Sequence, residues 1–514
     1  MNETEKAQAK YEEAVKASPQ NSRVLRWAAA FYLKNNKLDR AESLLKRIVA
    51  LQSPATLTDA CWARRSLAGI LMSRGGFDQL RQGMAMIDEN LRSKVASIDD
   101  KRVMVNLLLT DPRKEKIGEV IQAMEDLVKS TDATPEDYFT LAKLYLKKND
   151  WTNYGNQMHS VLGAQKGVVQ PRYLVFYINT LLEKKELDDA NNWLQTLEKS
   201  DPNLFDTMQL KAEYQFLRGN FKVAGDLAMA FLDNPLAQPK DRGQQLLLVA
   251  QVMEKFSDRL KVGGKQIVAK GFGENADTLF ASLRSKKISE TGDIFFAAYL
   301  ARQKRIRECL DVLEQCWDKC PAENLQLPAV LMMHSKAANS AQYQQLEKIL
   351  VAASNKSKRP VALLLVLADL YAQQQQYDKS IAAYREILAK DPRSYQTMNN
   401  LGLNLARAAQ NLDEALKLVN DAMAISGPMA EVLDTRAVVH IIRQEPEKAL
   451  VDLAEAIKDD GTADQYFHQA WAYSLTDKKA EASAAFAMAL KKGLDPKDLD
   501  PREVIIHDRL KDRL

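Results

Sequence analysis

The stretch VALLLVLADLYAQQQQYDKSIAAYREILAKDP, residues 361–392, contains two apolar stripes with a polar turn between them. Apolar and small residues recur at helical spacing on each side of the turn, and a proline closes the unit. The two stripes consist of Leu364, Leu367, Ala368 and Tyr371, then of Tyr377, Ser380, Tyr384 and Ile387. Two helices of this length with a short connection form an antiparallel hairpin. Such a hairpin cannot bury both stripes alone, so it needs a neighbour.

The same spacing recurs along most of the chain. The next unit repeats the first stripe about 34 residues later, and other units follow it and precede it. Residues that repeat the pattern include Leu25, Ala28, Tyr32, Leu141, Ala142, Tyr145, Leu174, Ala190, Leu401, Gly402, Ala437, Ala470 and Trp471. One such unit arises by chance, but about a dozen in phase indicate a repeat architecture. The sequence therefore predicts stacked helical hairpins.

These units resemble the tetratricopeptide repeat (TPR) family, in which Leu-Gly/Ala and Tyr mark the first helix and Ala, Phe/Tyr, Ala and Pro the second. The resemblance implies an all-α fold, a TPR-type α-solenoid built as a right-handed superhelix of antiparallel helix pairs. It is strong in residues 1–53, 135–232 and 289–490 and weak in 57–130 and 240–288. In the C-terminal half, LDTRAVVH (433–440) and GLDPKDLDPREVIIHDRL (493–510) resemble large bacterial TPR proteins of the planctomycete type.

The repeat pattern predicts four segments. Residues 1–239 form an N-terminal TPR array that starts with a half repeat, and 240–288 an irregular helical connector. Residues 289–492 form a second TPR array, and 493–514 a C-terminal cap or tail. In the connector, the glycine-rich VGGKQIVAKGFGE (262–274) is interpreted as an irregular insert between repeats.

The TPR resemblance implies a binding surface. First helices of the family line a concave face on which a segment of another protein lies. The resemblance therefore implies a non-catalytic scaffold or adaptor that binds a peptide or helical segment of one or more proteins. The inner positions that the analogy names are Arg23, Arg26, Asn179, Asp369, Asn399 and Asp434.

The charge distribution offers an alternative. The chain carries 72 Lys and Arg against 68 Asp and Glu, a net charge of +4, which by itself does not indicate nucleic acid. From Lys240 to Glu308, however, 14 basic residues stand against 8 acidic ones, a balance of +6. Binding of RNA or another polyanion through 240–308 is the alternative hypothesis. Few aromatic residues interleave with these cations, which favours a solvated basic face.

Catalytic and metal-binding signatures are missing from the sequence. The chain has no GxSxG, HExxH or GxxxxGK[ST] motif. Its five histidines are far apart in an array where each repeat is expected to contact only its neighbours. Its four cysteines, Cys61, Cys309, Cys316 and Cys320, lack the close pairs of a zinc site, and Cys309 and Cys316, at small-residue positions of a second helix, are expected to be buried structural residues. The sequence therefore predicts no enzyme activity, no cofactor and no metal.

The two ends of the chain suggest where it works and how it is capped. The polar start MNETEKAQAK has no signal-peptide character, and no apolar run reaches membrane-spanning length, so a cytoplasmic location is expected. The opening half repeat favours a longer chain or an oligomer. At the other end, Val504, Ile505, Ile506 and Leu510 are expected to fold back as a cap.

Overall fold

Helices account for nearly all regular structure in this chain. The computed structural model describes residues 3–51, 56–112, 117–163, 169–285, 288–289, 291–458, 460–476 and 478–513. Within these ranges there are 28 α-helices and no β-strand. The helices are α1 Glu3–Ala17, α2 Ser22–Lys34, α3 Leu38–Ala50, α4 Leu57–Arg74, α5 Phe77–Leu91, α6 Ile98–Thr110, α7 Ile117–Val128, α8 Pro135–Lys147, α9 Trp151–Gly163, α10 Pro171–Lys184, α11 Leu187–Ser200, α12 Phe205–Leu217, α13 Phe221–Ala230, α14 Arg242–Val262, α15 Gln266–Ser282, α16 Gly292–Arg302, α17 Ile306–Cys316, α18 Gln326–His334, α19 Ser340–Lys356, α20 Val361–Gln373, α21 Tyr377–Lys390, α22 Tyr395–Arg407, α23 Leu412–Ser426, α24 Ala430–Ile442, α25 Pro446–Ala456, α26 Ala463–Ser474, α27 Lys479–Lys491 and α28 Pro501–Arg513.

The hairpin of α20 and α21 shows how the sequence pattern produces a helix pair. Leu364 and Tyr384, the large residues of the two stripes, are both almost fully buried. Ser380 is buried between the helices, and its hydroxyl donates to the backbone carbonyl of Ala368 at 2.9 Å. The turn reverses at Gln375, whose φ is +61°. Small residues therefore lie where the two backbones approach, as the sequence predicts.

Most other helices pair with the next one along the chain. Such contacts join α2 with α3, α4 with α5, α6 with α7, α10 with α11, α12 with α13, α14 with α15, α16 with α17, α22 with α23, α24 with α25 and α26 with α27. Short connections make these pairs antiparallel. The predicted all-α fold of TPR-type helix pairs is confirmed.

The chain divides into two compact units. Unit 2 is residues 158–390, and unit 1 combines residues 1–157 with 391–514. Unit 2 has one long apolar core that runs from Phe205 to Leu370. Unit 1 has several smaller clusters, each shared by two or three neighbouring helices. The segments 1–239, 240–288, 289–492 and 493–514 were defined by repeat quality, and that division stays a prediction.

Within unit 1, helices far apart in the sequence touch. Helix α5 contacts α23, and the residue after α23, Gly427, lies directly against α5. A Cβ at Gly427 would come within 2.7 Å of Phe77 and 2.8 Å of Pro112. The expectation that each repeat contacts only its sequence neighbours is therefore wrong for unit 1, because apolar residues at these helix ends cover one another.

The glycine-rich segment 262–274 is more regular than expected. Helices α14 and α15 form a long hairpin in which the turn occupies only Gly263 to Lys265. The Ser257 hydroxyl donates to the Ala269 carbonyl at 2.8 Å and holds the two helices together. The prediction of an irregular insert is wrong, because packing against a neighbouring helix outweighs the low helix propensity of Gly271 and Gly273.

Gly402→Ala is expected to destabilise unit 1 by about 1–3 kcal/mol through overpacking. The added Cβ would lie 2.6 Å from Cγ2 of Val419 and 3.2 Å from the Ala415 carbonyl oxygen. Gly271→Ala is the matched control, since no atom lies within 4 Å of its added Cβ, and it should gain up to about 1 kcal/mol of helix propensity. Urea denaturation measures both, and equal effects would contradict the close approach of α22 and α23.

Candidate protein-binding surface

Three first helices of successive pairs form a continuous surface near the C-terminus. Helix α22 contacts α24, and α24 contacts α26, while each also packs on its own second helix. We call the surface of α22, α24 and α26 the first-helix row. By the TPR analogy this is the side on which a partner lies.

The C-terminal helix α28 lies across the first-helix row. It contacts α26, and Ile506 packs against the cluster that holds Ala437 of α24 and Trp471 of α26. Further along α28, Leu510 packs with Phe467 and Phe486. The row therefore already holds one helix, supplied by the chain itself.

The face that α28 buries combines charge with apolar contact. Glu503, His507 and Leu510 are buried at spacings of four and three residues, whereas the Ile505 side chain is 52% exposed. The predicted fold-back of Leu510 is confirmed, but the prediction for Ile505 is wrong. Helical periodicity puts Glu503 and His507 on the same face as Leu510 and turns Ile505 away from it.

Glu503 is the centre of a buried network of charged side chains. Its carboxylate accepts from Nη2 of Arg407 at 3.2 Å and lies 3.4 Å from Nε2 of His468. The other ring nitrogen of His468, Nδ1, lies 2.8 Å from Oδ1 of Asp434. The backbone N–H of Asp500 donates to Glu503 at 2.8 Å and caps α28. One glutamate of α28 thus engages α22 and α26 directly and α24 through His468.

The contacts within this network determine the pKa values, and so the ionisation, of His468 and Glu503. Burial alone would lower the pKa of His468, but Asp434 and Glu503 face its two nitrogens and raise it to about 10. Burial alone would raise the pKa of Glu503, but the hydrogen bond from His468 and the charge of Arg407 lower it to about 2. Near neutral pH, His468 is therefore a cation that donates from both ring nitrogens.

Two of the predicted inner residues, Asp434 and Asn399, lie on the first-helix row. The Asp434 side chain is 18% exposed and is engaged by His468. Asn399 is half-buried on α22, and its Nδ2 is 3.4 Å from Oδ1 of Asn400. Among the described residues, no donor reaches the buried Oδ1 of Asn399. The Asn399 amide is therefore engaged only through Nδ2, and its Oδ1 is shielded from solvent.

Arg23 and Arg26, also in unit 1, lie on α2. Arg23 is exposed. Arg26 forms an ion pair with Asp59 of α4 at 2.9 Å, and its guanidinium lies 5.0 Å from the centre of the Trp62 ring. Trp27, which follows Arg26 in the sequence, is 63% exposed. This end of the chain offers a basic and aromatic surface.

In unit 2, Asn179 and Asp369 are the predicted inner residues. Asn179 is half-buried on α10. Asp369 accepts a hydrogen bond from the Tyr384 hydroxyl. The residue as a whole is exposed, yet protein atoms crowd its carboxyl group, and this desolvation raises the pKa of Asp369. Asp369 is thus a recessed acid that solvent can still reach.

Several cations of the basic stretch 240–308 form ion pairs with acids of unit 2. Arg302 binds Glu254 at 2.7 Å, and Arg284 binds Asp293 at 2.7 Å. Lys255 and Arg259 both pair with Glu213. Cations held in such pairs are less available to phosphates, so these contacts count against a polyanion site.

The cysteines are mostly buried. Cys61, Cys309 and Cys316 are buried and Cys320 is half-buried, which confirms the expectation for Cys309 and Cys316. Burial raises the pKa of Cys309 to about 12, so its thiol is unreactive at neutral pH. Across the described part of the chain, no cluster of three His, Cys, Asp or Glu side chains could hold a metal ion. None of the described helices has the length and apolar character to cross a membrane.

Residues 1–54, which contain α1, α2 and α3, match a family model described as tetratricopeptide repeat. The tetratricopeptide-repeat match therefore covers the first three helices of the chain. Residues 362–469 match a second model, described as the TT21 fifth ARM repeats domain. Comparison with curated proteins gives no significant match. The predicted likeness of this chain to planctomycete-type proteins stays a prediction.

Several solved structures are similar to this chain. Yeast Tom70 is 13% identical, with 96% of each chain covered and a TM-score of 0.38. A TPR protein of Thermus thermophilus is 21% identical, covering 37% of this chain and 98% of its own, with a TM-score of 0.31. The Cut9–Hcn1 hetero-tetramer of the APC/C is 13% identical, covering 82% and 94%, with a TM-score of 0.33. Scores this low carry no argument about function.

Proposed function

We propose that this chain is a non-catalytic scaffold that binds a helical or peptide segment of another protein on the surface of its first helices. Tetratricopeptide repeats generally serve protein–protein interaction and are generally non-catalytic. The observation that supports the proposal most is α28, which lies on the first-helix row and engages it through Glu503. A surface that accepts one amphipathic helix has the shape and chemistry to accept another.

The six inner residues give this surface a mixed chemical character. Arg23 and Arg26 suit an acidic segment, because Arg26 shares only part of its charge with Asp59. Asp369 and Asp434 suit a basic one. Asn179 and Asn399 offer amides that can pair with the backbone of an extended or helical segment. We propose that a partner contacts several of these residues within one unit, and that its affinity comes from the sum of those contacts.

The experiment is capture of proteins on the tagged full chain, compared across single substitutions. Arg26→Ala and Asn399→Ala are each expected to reduce capture about fivefold, the effect of about 1 kcal/mol. Arg81→Ala and Asn192→Ala are matched controls, since both residues are exposed on second helices, α5 and α11, and both should bind as wild type does.

Salt separates the two functional hypotheses in the same assay. Capture through the first-helix surface should survive moderate salt, because apolar burial carries part of the affinity. Binding that collapses steeply with salt and ignores Arg26→Ala and Asn399→Ala would contradict the proposal and favour the polyanion hypothesis.

A further inference from the structure

Helix α28 lies on the surface to which the proposed function assigns a partner, and this inference rests on that proposed function. A helix that merely capped the last pair would contact α26 and α27. Helix α28 makes those contacts, but Glu503 also reaches Arg407 on α22, a residue 96 positions away in the sequence. The helix therefore covers the surface that the TPR analogy assigns to a partner.

The docked helix is held by a small set of side chains. Leu510 and His507 are buried, with the His507 ring centred 5.4 Å from that of Phe486, whereas Ile506 is half-buried and Ile505 is largely exposed. The 13 residues of α28 are too few for a stable helix in isolation, so its structure depends on docking. Much of that docking rests on one carboxylate, Glu503, between two cations.

The row left behind by α28 defines what could replace it. Arg407 and His468 would face the vacated position, and Asp434 would stay paired with His468. Departure of α28 removes the Glu503 carboxylate from this buried network of charges, which is costly, so we expect a replacement helix to bring a carboxylate. Beside that position, the apolar surface of Ala437, Trp471, Phe467 and Phe486 would need covering.

We propose that α28 is an intramolecular ligand of the first-helix row, and that the partner is an amphipathic helix of another protein that competes with it. The partner helix presents a glutamate, followed three and seven residues later by apolar side chains, as Glu503, Ile506 and Leu510 do in α28. Binding requires α28 to leave. The free chain is therefore autoinhibited.

The test uses the full chain and a fluorescein-labelled synthetic peptide with the sequence of residues 499–513. A short tether gives α28 an effective concentration on the order of millimolar, so the wild-type chain should bind the peptide weakly in fluorescence anisotropy. Glu503→Gln in the chain weakens the tethered helix while the peptide keeps its glutamate. The peptide is then expected to bind about tenfold tighter or more.

Two further variants test whether tighter peptide binding comes from weakened docking of α28. Leu510→Ala weakens α28 through its apolar contact and should give the same gain by a different route. Asp512→Asn removes a carboxylate from an exposed position of the same helix and should bind the peptide as weakly as wild type. A peptide carrying Glu503→Gln should bind none of the chains well.

Amide hydrogen exchange shows whether the variants stay folded. In Glu503→Gln, exchange should quicken in α28 and remain slow in α22 to α26. If folded Glu503→Gln and Leu510→Ala chains bind the peptide no better than wild type, α28 is a permanent cap and the inference fails. If these chains instead dimerise and exclude the peptide, a second copy is the occupant, which also overturns it.

The capture assay distinguishes a failure of the competition by α28 from a failure of the proposed function. Should the peptide bind no chain while Arg26→Ala and Asn399→Ala still reduce capture of other proteins, only the competition by α28 is refuted. Should those two substitutions also leave capture unchanged, the first-helix surface itself is the wrong site.

Discussion

Tyr384→Ala is expected to lower the stability of the α20–α21 hairpin by about 3–5 kcal/mol, the cost of removing a fully buried aromatic ring. Tyr384 is 1% exposed and is among the largest fully buried side chains of the described chain. Its hydroxyl also donates to Asp369. The substitution leaves a void between the two helices and removes the donor from a crowded carboxyl group.

Tyr384→Phe is the matched control, because it keeps the ring and removes only the hydroxyl. It should cost about 1 kcal/mol, the net value of one hydrogen bond. Hydrogen exchange of the α20 and α21 amides measures both variants locally, which suits a repeat chain whose units need not unfold together. A neutral Tyr384→Ala would show that the helical register given for residues 361–392 is wrong.

His468→Gln is expected to destabilise the docking of α28 and the α26 region by about 3–5 kcal/mol, because it removes one partner from a buried ionic network. Asp434 and Glu503 would lose the cation between them. His159→Gln is the control, since His159 is exposed on α9, and it should change stability by less than about 0.5 kcal/mol. Exchange of the α26 and α28 amides, compared with wild type, is the measurement.

The pH dependence of α28 docking tests the role of His468 in a second way. The pKa of His468 is raised from 6.5 to about 10, so its contribution is full below pH 6.5 and is lost as the pH rises toward 10. The pKa of Glu503 is lowered from 4.5 to about 2, so its contribution is present above pH 4.5 and is lost as the pH falls toward 2. Protection of the α28 amides from hydrogen exchange should therefore be greatest between about pH 4.5 and pH 6.5.

In the His468→Gln chain, the decline in α28 protection from pH 6.5 to 10 should disappear. The decline on the acid side should be reduced as well, because Glu503 loses one of the partners that lower its pKa. A variant whose protection falls with rising pH as steeply as that of wild type would show that His468 does not carry this charge.

The repeat pattern predicted the helix pairs because their determinants are local. Ala368, Ser380 and Tyr384 recur at fixed helical offsets, and the structure places them between α20 and α21. The regular hairpin of α14 and α15 was not predicted, because Gly271 and Gly273 lower the helix propensity of α15. That helix depends on packing against α14.

The charged network was missed for a different reason. Glu503, His468 and Arg407 belong to three helices, and a charged residue is taken to be exposed unless a partner is known. One local signal was available: Asp500, Pro501 and Glu503 have the spacing of a helix start with a reciprocal cap. That signal could have located the helix start, but it could not reveal that Glu503 also binds α22 and α26.

Hydrogen exchange tests the first-helix row as a binding surface most directly. The amides of the Glu503→Gln chain are compared with and without the 499–513 peptide. The account predicts new protection along α22, α24 and α26, with α28 of the chain exchanging freely. Protection confined to α23, α25 and α27, or no change anywhere, would contradict it.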